Sequence, residues 1–259
     1  VAAEALGLPV ERVRFELGDT DMPFTPVHGG SITMASIGTA VQAACQALLD
    51  DLAGVLRASG DARFTGAPIE WRDGGASVAG GDPVPYAALV AGLNLDRIAA
   101  QGRSAPGDEQ KTHSSCAFGA VFAEVQVDPD FGTVRVPRLV GAYDIGRVIN
   151  PKTARSQCIG GMVHGIGMAL LEQTDWDERF GRPMNSNLAE YLVPVNADVR
   201  DLDVTFVPSD DTIFNPLGVK GVAELGLSGV AAAIGNAVYH ATGRRVREFP
   251  ILPERLIDT

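Results

Sequence analysis

Hydrophobic and polar positions in the first part of the chain predict both helix and strand. Residues 1–8 have a helix-like pattern that ends at Gly7, and residues 10–17 alternate in the manner of a half-buried strand. After a loop rich in glycine and hydroxyl residues, apolar side chains recur on one helical face over 41–52. A strand followed by a long helix is therefore expected in this region.

Patterns in the middle of the chain are weaker. Residues 69–78 predict a hairpin with a glycine-rich turn, and residues 85–93 predict a short helix. The polar stretch 101–112 indicates a join between two lobes, which would span 1–105 and 113–259.

The pattern is clearest in the second half. Two strands are predicted over 118–127 and 133–143, joined by a turn with Pro and Gly at positions that suit them. Asn150 is a good N-cap and Pro151 a good first helical residue, so a helix is expected from there to about Gln173. It contains four glycines that each cost up to about 1 kcal/mol relative to Ala, which indicates close approach of another part of the protein or of a ligand: Gly160, Gly161, Gly165 and Gly167.

The C-terminal third completes the expected fold. It predicts an extended or partly extended segment over 185–194, a strand over 202–207, and a helix that starts at Ser228 or Gly229 and ends at Gly243. The predicted fold class is α+β, with two-layer α/β lobes, mixed or antiparallel sheets, and helices on one face.

Composition narrows the possible partners. The chain has 259 residues, 46% of them hydrophobic, and a net charge of −11. The acidic balance and the lack of a Lys/Arg cluster argue against nucleic acid as a partner, and no apolar run reaches the roughly 18 to 20 residues that span a membrane. Because the chain begins with Val1 inside a helical pattern, we expect it to be part of a longer protein.

The cysteines provide no metal site by their spacing. Cys45, Cys116 and Cys158 are far apart and lie in apolar or small-residue contexts. Without a C-x-x-C motif or a His/Cys cluster, the chain offers neither a zinc site nor an iron–sulfur site of its own. Each thiol is expected to be a buried small hydrophobe, and a reducing cytoplasm is the expected compartment.

Glycine-rich loops at 28–36, 146–153 and 218–224 each lead into a predicted helix. Backbone N–H groups in such places bind anions, so the three loops together would suit a large, flat, polyanionic cofactor. Hydroxyl side chains in the first loop suit phosphate contacts and N-capping about equally. The spacing is neither that of a Rossmann dinucleotide site nor that of a P-loop. The residues alone therefore predict a polyanionic cofactor beside one buried carboxylate, Glu224.

Four motifs in order resemble the molybdenum-binding subunit of the xanthine dehydrogenase/aldehyde oxidase family. They are DIGRVINP at 144–151, Gln157 with the glycines that follow it, NLAEYLVP at 187–194, and GVKGVAE at 218–224. The resemblance covers essentially the whole chain. It implies the C-terminal second molybdenum-cofactor-binding domain of a longer subunit, most similar to bacterial aldehyde-oxidising members.

The resemblance implies a role for each matching residue. Glu224 matches the catalytic base, and no protein side chain is expected to bind the metal. Ala223 stands where the commoner family pattern has a second glycine. The other matching residues are expected to bind the cofactor: Gly30, Ser31, Thr33, Ala35, Ser36, Arg147, Val148, Asn150, Lys152, Thr153, Gln157, Lys220, Gly221, Val222 and Ala223.

The resemblance also implies an activity and partners. The expected reaction hydroxylates a small-molecule aldehyde to a carboxylic acid with water as the oxygen source, using a molybdenum-pyranopterin in its cytosine dinucleotide form. The upstream part of the same subunit would complete the site, and a 2Fe-2S subunit and an FAD subunit would carry the electrons, so the isolated fragment is expected to be inactive.

Several alternatives stay open at this point. The substrate could be an N-heteroaromatic ring of the purine or isoquinoline type. The fragment could instead be a catalytically silent cofactor-binding or assembly module. The parent subunit could be periplasmic through co-export with a signal-bearing partner rather than cytoplasmic.

Overall fold

The computed structural model describes residues 1–209 and 211–257. The chain divides into two compact units, 1–113 with 212–217, and 114–211 with 218–259. The two lobes expected from the sequence, 1–105 and 113–259, placed residues 212–217 in the second lobe, whereas the structure places them in the first unit.

The first unit contains helices and a small sheet connected by long irregular segments. Strands β1, β2 and β3 form an antiparallel sheet in that order. Its elements are α1 (Ala2–Ala5), a 3-10 turn (Val10–Arg12), a π-helical turn (Met34–Gly38), α2 (Thr39–Ala58), a 3-10 turn (Ala62–Phe64), β1 (Ile69–Arg72), β2 (Gly75–Val78), β3 (Val84–Pro85), α3 (Tyr86–Gly92) and a 3-10 turn (Asp108–Lys111).

The structure confirms most local predictions in this unit but not the strand over 10–17. The hairpin, the short helix and the long helix α2 form as predicted. Residues 10–17 instead form the 3-10 turn Val10–Arg12 and an irregular stretch, with Phe15 57% and Leu17 74% exposed. Alternating hydrophobic and polar residues give only a local preference for a β-strand, and a stable strand also needs a neighbouring strand to pair with. No described strand pairs with this segment.

The core of the first unit lies between α2, α3 and the β1–β2–β3 sheet. Leu52 and Leu56 on α2 belong to a cluster of five buried residues that also contains Phe64, Ala76 and Leu89. Phe64 is 1% exposed although it belongs to a short 3-10 turn. Apolar burial on one face of α2 follows the pattern that predicted the helix.

The second unit is built on a mixed three-stranded sheet. Strands β4 and β5 are antiparallel, whereas β8 pairs with β5 in parallel, so the prediction of a mixed sheet is confirmed. Its elements are β4 (Phe118–Val127), β5 (Val134–Asp144), α4 (Pro151–Leu170), β6 (Trp176–Asp177), β7 (Arg182–Pro183), β8 (Asp201–Phe206), a 3-10 turn (Glu224–Gly226), α5 (Val230–Thr242) and a 3-10 turn (Pro253–Arg255).

Helix ends in this unit follow the residues that predicted them. The Asn150 side chain accepts a hydrogen bond from the Thr153 N–H at 3.2 Å, which caps α4. Gly243 ends α5 in the left-handed conformation with φ of 74°.

The segment 185–194 forms no strand. A turn interrupts it, in which the Tyr191 N–H donates a hydrogen bond to the Asn187 carbonyl.

The core of the second unit combines the sheet with α4 and α5. Tyr143 is fully buried, and its ring occupies the space above Gly119 and Gly141, where a Cβ would lie 2.5 Å from ring or hydroxyl atoms.

Cys158 is also fully buried, and burial raises the pKa of its thiol to about 11. Cys116 is exposed, so the expectation that all three cysteines are buried is wrong for that residue.

Glycines in α4 allow the chain near Glu224 to touch the helix backbone. A Cβ on Gly161 would lie 2.5 Å from the Gly226 carbonyl carbon, and a Cβ on Gly226 would lie 2.8 Å from the Cys158 Cα. Gly165 faces the Val230 side chain in the same way. The predicted close approach is therefore made by the protein itself at Gly161 and Gly165, where the turn 224–226 and the start of α5 touch the helix, but the prediction is wrong for Gly160, where a Cβ would meet no atom within 4 Å.

None of the described helices is both long and apolar enough to cross a membrane.

We predict that Gly161→Ala destabilises the chain by about 1–3 kcal/mol, because the added methyl must displace backbone atoms rather than a flexible side chain. Gly160→Ala is the matched control in the same helix, since a Cβ there would meet no atom within 4 Å. It should stabilise the helix by up to about 1 kcal/mol. Urea unfolding of the two variants measures both effects, and equal free energies of unfolding would contradict the contact.

Candidate cofactor-binding site

Glu224 begins the 3-10 turn that packs on α4. Val222 and Leu225, on either side of its short segment, pack against the core of the second unit. Gly226 contacts the α4 backbone at Cys158, which fixes the turn from the other end. The Glu224 side chain is exposed, so the expectation of a buried carboxylate is wrong for this chain by itself. Core packing therefore holds the turn while its carboxylate projects outward.

Gln157 lies on α4 immediately before the residue that touches Gly226. Cys158 is fully buried, whereas Gln157 is exposed. Gln157 and Glu224 are thus each close in sequence to the same helix–turn contact. The structure brings these two predicted site residues to one region of the second unit.

Two glycine-rich loops of the second unit cross beside this region. Gly146 forms a β-bridge with Val219, the Arg147 N–H donates to the Gly218 carbonyl at 2.7 Å, and the Lys220 N–H donates to the Ile145 carbonyl at 2.9 Å. Gly146 has a φ of 66° and lies against the Gly218 carbonyl, so neither conformation nor space suits a larger residue.

A buried ion pair joins the same two loops. The Lys220 Nζ lies 3.1 Å from Asp144 Oδ2, and these side chains are only 9% and 7% exposed. Burial favours the neutral form of Asp144, but hydrogen bonds from the Gly146 N–H and Lys220 outweigh it and lower the pKa of Asp144. Burial likewise opposes the charge on Lys220, but its hydrogen bond to Asp144 and the nearby carboxylates raise the pKa of Lys220.

The segment between Lys220 and Glu224 offers backbone donors. Among the residues that the structure describes, none accepts a hydrogen bond from the N–H groups of Gly221, Val222 or Ala223. The three residues carry small or short side chains and are only partly buried. Unpaired donors beside an outward carboxylate fit a polar ligand that is held by backbone groups.

The loop before α4 and the first turn of this helix supply further predicted site residues. Arg147, Asn150, Lys152 and Thr153 are exposed, and Val148 packs against the core. The Asn150 side chain already caps the helix, and the Thr153 hydroxyl donates to the Asn150 carbonyl at 3.3 Å. These two residues therefore have a structural role besides the predicted one.

The loop over Gly30–Ser36 belongs to the first unit and leads into α2 through the π-helical turn. The Thr33 hydroxyl pairs with His28 Nδ1 at 2.5 Å, and the Ser36 hydroxyl donates to the Ile32 carbonyl at 3.0 Å. Neither hydroxyl caps the helix, because no side-chain cap is formed at the start of the π turn or of α2. Gly30 and Ser31 both have positive φ, at 59° and 58°.

No side-chain cluster that could bind a metal ion occurs within 1–209 and 211–257, where no three His, Cys, Asp or Glu residues come together. The small residues, the unpaired N–H groups of 221–223 and the exposed Glu224 and Gln157 fit a polar cofactor that is held by backbone groups.

Sequence reasoning missed the side-chain pairing of Asp144 and Lys220. The resemblance implies only that Lys220 binds the cofactor, and it implies no role for Asp144, which belongs to the motif at 144–151. One signal was present: each charged residue stands beside apolar or glycine residues, Asp144 at the end of an apolar strand and Lys220 between Val219 and Gly221. Charged residues in such surroundings are usually paired when they are buried.

Comparison with known proteins identifies the class of this site. Residues 1–200 match the family described as the molybdopterin cofactor-binding domain. The match defines a class of protein that binds a molybdopterin cofactor. The chain belongs to the molybdopterin cofactor-binding domain family, as the motifs predicted.

Similar proteins extend the comparison. The chain is 38% identical over 257 residues to the aldehyde oxidoreductase molybdenum-binding subunit PaoC of Escherichia coli K12, covering 99% of this chain and 34% of that protein. It is 36% identical over 155 residues to the putative xanthine dehydrogenase molybdenum-binding subunit XdhA of the same organism, covering 60% of this chain and 20% of that protein. The chain therefore spans about a third or less of the curated relatives it matches.

Solved structures share the fold. A reconstituted CO dehydrogenase from Oligotropha carboxidovorans has a TM-score of 0.82 at 22% identity, covering 98% of this chain and 32% of that one. The aldehyde oxidoreductase from Desulfovibrio desulfuricans has a TM-score of 0.72 at 25% identity, covering 98% of this chain and 26% of that one. The fold is thus retained at low sequence identity.

We predict that Asp144→Asn lowers the free energy of unfolding at pH 7 by about 3 kcal/mol, because it removes the buried carboxylate partner of Lys220 and leaves only the more exposed Asp211, 3.5 Å away, beside the buried charge. Since the pKa of Asp144 is lowered in the folded state, its stabilisation is present above the unfolded value near 3.9 and is lost as pH falls through the folded value. Urea unfolding of wild type and variant between pH 7 and pH 3 should show the difference shrinking on acidification. A difference independent of pH would contradict the ion pair.

Proposed function

We propose that the chain is the cofactor-binding domain of a molybdenum hydroxylase that oxidises an aldehyde to a carboxylic acid, with water as the oxygen source. The observation that carries the proposal is the 38% identity, over 99% of this chain, to the molybdenum-binding subunit of an aldehyde oxidoreductase. The outward carboxylate of Glu224 on a turn held against α4 supports it. The chain spans only a third of that relative, so the complete site requires further protein.

Each part of the site has a role in this proposal. The molybdenum-pyranopterin, as its cytosine dinucleotide, supplies the redox centre that accepts two electrons from the substrate. The N–H groups of Gly221, Val222 and Ala223, together with Gln157, bind its polar edges. Glu224 takes a proton from the water-derived oxygen that is transferred to the aldehyde carbon. Its exposure in this chain leaves room for a substrate beside it.

The proposed assembly includes further protein. The upstream part of the same subunit completes the cofactor pocket and supplies the residues that select the substrate. An iron–sulfur subunit and an FAD subunit carry electrons away. The description of the relative as a molybdenum-binding subunit supports an assembly of this kind.

A second candidate is hydroxylation of an N-heteroaromatic ring by the same base. It is favoured by the 36% identity to the putative xanthine dehydrogenase subunit, although that match covers only 60% of the chain. Turnover of a purine in place of an aldehyde by the full-length subunit in its complex would select this candidate.

We predict that Glu224→Gln in the full-length subunit complex lowers aldehyde turnover with an artificial electron acceptor by about 10²–10⁴-fold, because the amide cannot accept the proton. The molybdenum content should remain that of the wild type, since the change preserves the size of the side chain. Turnover and metal analysis are measured on the same preparations.

Glu178→Gln serves as the matched control for this test. Glu178 is exposed on the turn between β6 and β7, away from the predicted site residues in the sequence. Turnover should be unchanged in this variant. Full turnover in Glu224→Gln, or a wild-type complex without molybdenum, would count against the proposed function.

A further inference from the structure

We propose that Lys220 is a positioning residue for Glu224: its ammonium joins Asp144 and Asp211 and thereby holds the 221–224 segment in place, and it does not bind the cofactor through its side chain. This inference rests on the proposed function for the role of Glu224. The anchoring of the segment itself depends only on the contacts of the second unit.

The Lys220 ammonium lies between two carboxylates. Its Nζ is 3.1 Å from Asp144 Oδ2 and 3.5 Å from Asp211 Oδ2, and the Phe118 ring centroid lies 6.0 Å away. The Lys220 side chain is 9% exposed, so the charge is held inside the unit. Ion pairs of this kind resist separation, because removal of one partner leaves a buried charge uncompensated.

Asp144 extends this anchor to the neighbouring loop. Its Oδ1 accepts a hydrogen bond from the Gly146 N–H at 2.8 Å while its Oδ2 faces Lys220. The backbone of Lys220 donates to the Ile145 carbonyl at 2.9 Å, so both its main chain and its side chain are bound to the end of β5 and the residue that follows it. Lys220 is therefore a fixed point on the sheet.

Glu224 lies between two such fixed points. Lys220 is four residues before it, and Gly226, which touches the α4 backbone at Cys158, is two residues after it. Between them, no described residue accepts a hydrogen bond from the N–H groups of 221–223. The segment that leads to Glu224 is therefore held by Lys220 at its start, by Gly226 beyond its end and by the packing of Val222 on the core, and the loss of the Lys220 anchor should displace it.

Electrostatics argue against an anion-binding role for the Lys220 side chain. Two carboxylates lie within 3.5 Å of the one ammonium, so the space around the Lys220 Nζ is already occupied by negatively charged side chains. A phosphate at this position would meet repulsion from Asp144 and Asp211 and would have to displace a buried pair. The family match at Lys220 thus points to its backbone and to the segment it anchors.

The anchoring is tested by hydrogen exchange on the 259-residue chain. In Lys220→Met, the backbone amides at positions 147 and 220, which donate hydrogen bonds between the two loops, should lose protection about 10-fold or more. The amides of the β1–β2 hairpin in the first unit should keep their protection. Lys111→Met is the matched control, because Lys111 forms only an exposed pair with Asp108. Equal protection in Lys220→Met and wild type would overturn the proposal.

The positioning role is tested in the full-length subunit complex. Lys220→Met should lower kcat per molybdenum about 10–100-fold with KM and molybdenum content unchanged, whereas Lys111→Met should match the wild type. Loss of molybdenum with normal turnover per remaining metal would instead assign the side chain to cofactor binding and overturn the proposal. Lower thermal stability with unchanged kcat per molybdenum would reduce Lys220 to a purely structural residue and overturn it as well.

Asp144→Asn provides a second variant if Lys220→Met fails to fold. It removes the same charge pairing with little change in shape, and it should give the same loss of protection and of kcat.

The two experiments also distinguish the failure of this inference from the failure of the proposed function. If the wild-type complex lacks molybdenum or turnover, the proposed function fails, while the exchange experiment still decides whether Lys220 anchors the segment.

Discussion

The contact between the backbones of α4 and the 224–226 turn is the constraint on which the second unit depends. It exists only because Gly161 and Gly226 lack side chains at the point where the two segments meet. A glycine inside a helix lowers helix stability by up to about 1 kcal/mol relative to Ala, so the helix alone gains nothing from it. The missing side chains permit a close approach that fixes the end of the turn carrying Glu224 and the entry into α5.

A buried ion pair supplies the second constraint. Asp144 and Lys220 connect the end of β5 to the glycine-rich loop that precedes Glu224. Buried pairs lose hydration on folding and often add little to net stability, but they define one geometry strongly because a displaced partner is left uncompensated. Apolar side chains of similar volume would fill the same space without defining which groups must meet. The loop that precedes Glu224 is thus held by a directional interaction, and the turn that follows it by a steric one.

Backbone groups carry much of the candidate site. The N–H groups of Gly221, Val222 and Ala223 and the crossing of Gly146 with Val219 depend on chain path more than on side-chain identity. The fold as a whole is also shared with a solved structure at 22% identity, with a TM-score of 0.82. Side chains matter mainly where they prevent or permit a close approach, or where they supply a titratable group, as Glu224 does.

Local sequence determined those helix ends and strands that depend only on residues close together in the chain. The α4 cap at Asn150, the end of α5 at Gly243 and the β4–β5 hairpin follow from residue types at single positions or from alternation. The motifs likewise predicted the family, which the match over residues 1–200 confirms. Tertiary structure alone decided that residues 10–17 form no strand, that Glu224 is exposed in this chain, and that Lys220 pairs with Asp144. Each of these depends on which distant segment lies alongside, and Asp144 and Lys220 are separated by 76 positions.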